Sequence, residues 1–181
     1  MAESAKKIGF VSSIREIIFG LEDSLVSTLG AVTGIAAGAG STYIVILSGL
    51  VLIAVESISM SAGSYLSSKA AEDLEELDGN RMRARAERPL RSAFVMLFAY
   101  VVGGMVPLTP YLLLPVQSAA VPSIILTVVT LFSIGAWKGK ITKQSWWKSG
   151  IEMTSVSLAA ALLGYLIGRL VANLAGVSVD I

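Results

Sequence analysis

Cysteine and histidine are both absent from this 181-residue chain. Their absence excludes disulfides, thiolate metal sites, haem attachment and every zinc site that needs imidazole. Any metal the chain handles must be held by carboxylates, methionine sulfur, hydroxyls or carbonyls. Charge is scarce too. Only 15% of residues are Asp, Glu, Lys or Arg, and the formal net charge is +1. No bulk field of one sign is available to attract nucleic acid. With no histidine, no cysteine and no serine set against a base, the common nucleophilic constellations are missing, and the chain reads as a non-enzyme without a resident cofactor.

What the chain has is apolar length. Hydrophobic residues make up 54% of it and its mean hydropathy is +0.74, whereas soluble domains hold roughly 45–50% apolar residues even with glycine counted. The excess lies in five blocks, at about 17–39, 43–67, 92–114, 119–137 and 150–174. Each is near the roughly 20 residues that a spanning helix needs, and strands of a membrane barrel would be about half as long. The expected fold is an all-α integral membrane protein, one domain of five transmembrane helices. The first 16 residues are polar and run straight into the first block, so that block is expected to direct insertion rather than to be cleaved.

The links between blocks give an orientation. Lys6, Lys7 and Arg15 precede the first block, and the second link (69–91) carries Lys69, Arg81, Arg83, Arg85, Arg88 and Arg91. The fourth link carries Lys138, Lys140, Lys143 and Lys148. The first and third links carry no charge, and the tail beyond Arg169 has only Asp180. By the positive-inside rule the N-terminus is cytoplasmic and the C-terminus outside or lumenal. Trp137, Trp146 and Trp147 are expected at headgroup level. The link at 69–91 starts acidic and ends basic. Its first part is expected to extend the second helix for two or three turns and to break near Gly79-Asn80.

Carboxylates inside hydrocarbon cost roughly 2.5–3.5 kcal/mol each on insertion scales, so they face a bundle interior or a wet cavity and are functional candidates. Glu56 is in the middle of the second block, with Met60 four residues on and thus on the same helical face. A carboxylate and a thioether together suit a borderline-soft divalent ion; the alternative is a protonated Glu bonded to a neighbouring helix with Met as filler. Asp23 lies in the first block and shares a face with Ser27 and a stripe of Gly30, Gly34 and Gly38. Such a stripe serves close helix packing, either within the chain or between two copies. Between two copies it would bring two Asp23 side chains together, a geometry that needs a cation or proton between them. Ala160, Gly164 and Gly168 form a second small-residue face, read as packing. Gly103, Gly104, Pro107 and Pro110 either break the third helix or form a packed kink. Glu72, Glu75 and Glu76 share a face and either gather metal or form a solvated surface. Glu152 either joins a metal path or serves as a charge at a helix start.

Taken together, several segments resemble the vacuolar iron transporter family. They are Arg15-Glu16-Ile17-Ile18-Phe19-Gly20-Leu21-Glu22-Asp23-Ser24-Leu25, Glu56-Ser57-Ile58-Ser59-Met60-Ser61-Ala62-Gly63-Ser64-Tyr65-Leu66, Gly104-Met105-Val106-Pro107-Leu108-Thr109-Pro110-Tyr111 and Gly135-Ala136-Trp137-Lys138-Gly139-Lys140. The resemblance implies five transmembrane helices, a homodimer, and export of Fe2+, with Mn2+ or other divalent ions, from the cytosol in exchange for protons along the dimer interface. It matches the family's first-helix Asp to Asp23 and its second-helix Glu and Met to Glu56 and Met60. Well-characterised members of the family carry a long cytoplasmic metal-gathering domain between the second and third helices, whereas its nodulin-like members are short there. Here that link is short, and Glu72, Glu75 and Glu76 stand as its stub. The short form points to a prokaryotic cell membrane rather than a vacuole. The competing reading is a non-transporting membrane scaffold whose carboxylates only lock helices together.

Overall fold

The fold is described from a computed structural model, covering residues 2–77, 79 and 88–176, with side chains from Val11 onward. Five helices make it up: α1 (Ala2–Ala39), α2 (Thr42–Leu77), α3 (Pro89–Leu113), α4 (Val116–Ile141) and α5 (Trp146–Leu174). Each contains a stretch long and apolar enough to cross a membrane. The described residues include no strand, so the expected class, all-α with five spans, is the one observed.

The helices overrun the apolar blocks because a helix does not have to stop at the membrane surface. α1 begins at Ala2, well before the apolar run at 17, and α2 continues ten residues beyond 67 to Leu77. The expected break follows there. Gly79 adopts φ +73° and its N–H bonds to the Glu76 carbonyl at 3.0 Å. That left-handed step ends a helix and is strained for a residue with a Cβ. Asn80, Asp78, Arg81, Arg83, Arg85 and Asp180 lie outside the described residues. At the opposite end Gly40 ends α1 in the same way, with φ +59° and its N–H on the Ala36 carbonyl at 3.1 Å. Pro89 and Pro115 open the next two helices, where proline's fixed φ and missing N–H cost nothing.

Short links force neighbouring helices to run antiparallel. One end of the bundle, the basic end, therefore carries the start of α1 and the links α2–α3 and α4–α5. The uncharged links α1–α2 and α3–α4 lie at the other end and are tied by a hydrogen bond from the Val116 N–H to Thr42 Oγ1 (3.0 Å). α1 and α3 are the most buried helices, and α2, α4 and α5 surround them. The main apolar cluster (Val32, Val45, Ile53, Leu108, Tyr111, Val116, Ala119) lies towards the uncharged end. Leu25, Leu131 and Met153 form a second cluster joining α1, α4 and α5.

Glycine sets how closely these helices meet. A Cβ on Gly34 would lie 2.5 Å from the Gly164 carbonyl oxygen, one on Gly38 3.0 Å from that of Gly168, and one on Gly30 3.1 Å from that of Ala160. The stripe on α1 therefore packs on the small-residue face of α5 in the same chain. Packing within the chain is thus one use of the stripe, and its glycines, still part-exposed, also line a groove of about 630 Å³ with Gly164 and Gly168. α3 is continuous rather than broken. It runs unbroken through Pro107 and Pro110, and the buried Ser123 hydroxyl of α4 donates to the Pro107 carbonyl at 2.6 Å.

Candidate functional site

Carboxylates and thioethers gather between α1, α2 and α3, in tiers set by helix geometry. α1 and α3 ascend from the basic end as α2 descends, so positions seven apart on one helix are two turns, about 10 Å, apart in depth.

The tier nearest the basic end is built on Glu16. Only 5% of it is exposed. Its Oε1 accepts from Arg15 Nη2 at 2.9 Å and its Oε2 from Ser64 Oγ of α2 at 3.0 Å. Arg15 itself is exposed. Read from the sequence, both charges belong to the polar lead; in the structure they lie on α1, the helix that carries the first span, and Glu16 is packed into the bundle. One signal was available: Glu16 is seven residues before Asp23 and so shares its face. Ser64→Ala is expected to cost about 1.5–3 kcal/mol, the range for a buried hydrogen bond to a charged group, read as a lower midpoint of thermal unfolding in detergent. A change smaller than about 0.5 kcal/mol would mean that Glu16 does not depend on this bond.

One turn deeper, Met60 of α2 and Met96 of α3 line the same cleft as Glu16, which has a volume of about 630 Å³ and includes Phe19, Ser59, Gly63 and Ser67. Gly20 on α1 lets α3 approach, since a Cβ there would meet Met96 Sδ at 3.0 Å. Met96 was not picked out from the sequence, because a methionine in an apolar block looks like packing until its neighbours are known.

The deepest tier joins three helices. Asp23 of α1 and Glu56 of α2 lie within each other's electrostatic field, and both act on Tyr100 of α3. Tyr100 is fully buried, and its hydroxyl hydrogen-bonds with that of Ser27 at 2.9 Å. Asp23, Glu56 and Met60 are each part-buried. Sequence reading missed Tyr100 as well, although a tyrosine in mid-span needs a partner for its hydroxyl. It sits one turn from Met96 and so continues the same face of α3.

The other candidates stand apart from these tiers. Glu72, Glu75 and Glu76 are on the last turns of α2, at the basic end, with Glu72 and Glu75 part-buried and Glu76 exposed. Glu152 is exposed near the start of α5. No three acidic side chains among the described residues come together to enclose an ion. The chemistry available is two carboxylates, Asp23 and Glu56, near enough to interact through their charges, with thioethers and hydroxyls one turn away, a set that favours a borderline-soft divalent cation over a hard one.

Fold and site together define a polytopic helical membrane protein with paired carboxylates inside its spans. Comparison with known proteins makes this specific. The VIT family profile matches residues 14–88 and 76–169. The chain is 26% identical over 214 aligned positions to vacuolar iron transporter 1 of Arabidopsis thaliana (87% of this chain, 86% of the relative). It is 27% identical over 208 positions to vacuolar iron transporter 1 of Eucalyptus grandis (84% of each). Over 172 positions it is 27% identical to an uncharacterized protein of Methanocaldococcus jannaschii (87% of this chain, 90% of the relative). The chain belongs to the VIT family, whose members are transporters rather than enzymes. The Arabidopsis alignment is longer than this whole chain, so that relative contains residues absent here. The two family matches overlap at 76–88, in the α2–α3 link where the sequence reading placed the missing domain.

Proposed function

We propose that this protein is a divalent-metal transporter that carries Fe2+, with Mn2+ as a related substrate, out of the cytosol in exchange for protons. The observation that carries the proposal is the Asp23–Glu56 pair within two spans, with a cleft lined by Glu16, Met60 and Met96 one turn nearer the basic end. The names of the plant relatives support iron as the substrate. Metal enters at the basic end, is passed between thioethers, and reaches the deeper carboxylates. There each charge state has a counterpart: the pair holds either a divalent cation or protons, because a carboxylate must be deprotonated to bind metal. Exchange of one for the other is the chemical basis of antiport.

The cleft is open along the side between α1 and α2, where Phe19, Ser59 and Gly63 are exposed. A homodimer would close it there. The acidic stub Glu72, Glu75 and Glu76 would gather cytosolic metal, and Glu152 would add charge on the same membrane side. The protein would work in a prokaryotic cell membrane with its N-terminus in the cytoplasm.

The test is flux in proteoliposomes, with Fe2+, Mn2+, Zn2+ and Ca2+ compared. The sign of the pH effect follows from competition at the pair. Acid on the receiving side protonates the carboxylates and displaces metal there, so a gradient acid on that side should raise flux at least about 10-fold over no gradient. The reversed gradient should suppress it. Fe2+ flux indifferent to either gradient would reduce the protein to a passive channel.

The scaffold reading has one observation in its favour: Glu16 is tied to Arg15 and Ser64, as a structural carboxylate would be. It predicts no flux for any ion from folded protein.

A further inference from the structure

A groove runs between α4 and α5 on the outer surface of the bundle, near the basic end and away from the carboxylate tiers. Val129, Phe132 and Ser133 form one wall and Ile151, Ser155 and Leu158 the other, around a volume of about 330 Å³. Three hydroxyls line it, and each is committed to its own helix. Ser133 donates to the Val129 carbonyl at 2.7 Å, Thr154 to that of Gly150 at 2.9 Å, and Ser155 to that of Glu152 at 2.8 Å. The groove thus presents methyl, methylene and ring surface, and its hydroxyl protons are already taken.

Its end towards the membrane surface is built from rings. Phe132 meets Trp147 edge to face with centroids 5.2 Å apart and Trp146 at 6.3 Å, and the two tryptophans meet at 5.5 Å. Gly150 leaves room for the Phe132 ring, which a Cβ there would approach to 2.7 Å. Beyond the rings each wall continues into a lysine. Lys140 is two turns beyond Ser133 on α4, and Lys148 is two turns before Ser155 on α5, so both fall on the groove side of their helices. Both are exposed. Lys143 lies between them in the connecting turn, at φ 56°. The stretch from 137 to 151 contains no acid; Glu152, one turn deeper than Lys148, is the next acid along the chain.

We infer that this groove binds one anionic phospholipid, with an acyl chain along the α4–α5 groove and the headgroup phosphate between Lys140 and Lys148. A positive-inside bias accounts for lysines at this end of the bundle. It does not account for an apolar groove whose two walls both end in one. A neutral lipid would fill the groove and leave the ammonium groups unpaired. A free phosphate would meet the lysines and leave the groove uncovered. Only an anionic lipid satisfies both. Each lysine near a membrane surface is worth about a factor of five in binding an anionic lipid.

The test is native mass spectrometry of delipidated protein titrated with phosphatidylglycerol or phosphatidylcholine of identical chains. One phosphatidylglycerol should be retained at least about 10-fold more tightly than phosphatidylcholine. The double variant Lys140→Gln/Lys148→Gln should weaken phosphatidylglycerol about 25-fold, to near the neutral lipid. Val129→Trp, which fills the groove and keeps both lysines, should weaken both lipids. Circular dichroism and the thermal midpoint confirm folding of each variant, and the lysine pair, being exposed, keeps the question answerable if Val129→Trp misfolds. Equal retention of the two lipids would overturn the inference, as would a lysine variant that binds like wild type. Competition by glycerol 3-phosphate as strong as by the lipid would also overturn it, because the groove would then contribute nothing.

Discussion

Glu56→Gln should abolish gradient-driven metal flux, by on the order of 100-fold or more, and leave the protein folded. The structure separates those two effects. Among the described residues Glu56 makes no hydrogen bond and no salt bridge, and its neighbour in charge is Asp23. Glutamine keeps the size and polarity of the side chain and removes the charge that binds a cation. It also removes a like-charge repulsion, so stability should stay within about 1 kcal/mol of wild type, or rise. Asp23→Asn should behave in the same way. Loss of a metal ligand exceeds the 10–100-fold that outer partners of a ligand typically contribute. The scaffold reading predicts the reverse pattern: a lower unfolding midpoint and no flux to lose. Flux in proteoliposomes, together with thermal unfolding of the same preparation, decides between them. Wild-type flux from Glu56→Gln would refute the assignment of this residue.

Gly34→Leu and Gly164→Leu should each prevent the bundle from closing, and Gly63→Leu should leave it folded. A single Cβ on Gly34 would come 2.5 Å from the Gly164 carbonyl, and one on Gly164 would run into the Gly30 carbonyl. The obstacle in both cases is backbone, which no rotamer change relieves. Overpacking costs about 1–3 kcal/mol per site where neighbours can shift, and more where they cannot. Each variant is expected to lose more than about 3 kcal/mol, or to fail to accumulate as folded protein. A Cβ on Gly63, in contrast, meets no atom within 4 Å. Size-exclusion profile and unfolding midpoint provide the readout. If Gly34→Leu gave a stable monomer that had only lost self-association, the α1 stripe would be a seam between copies after all.

The tiers divide into what could be read along one helix and what could not. Glu56 and Met60 were legible because i, i+4 spacing is a property of a single helix, and Asp23 because a charge in an apolar run stands out. Glu16 was read only as part of the polar lead, since the hydrogen bond that holds it comes from Ser64 on another helix. Tyr100 and Met96 gave no signal of their own. Both are ordinary in an apolar helix, and what distinguishes them is the pair of helices they face.

The sequence by itself determined the number of spans, their alternation between a basic and an uncharged end, and the chemistry available for cargo, because these depend on composition and on periodicity within a segment. It also determined that Gly30, Gly34 and Gly38 must meet something closely. Only the tertiary structure decided that they meet Gly164 and Gly168 of the same chain, that Glu16 is held by Ser64, and that Asp23, Glu56 and Tyr100 converge. A helix's own pattern specifies which of its faces is small or polar. Which neighbour that face receives depends on how all five helices pack at once, and that is not a local property of any of them.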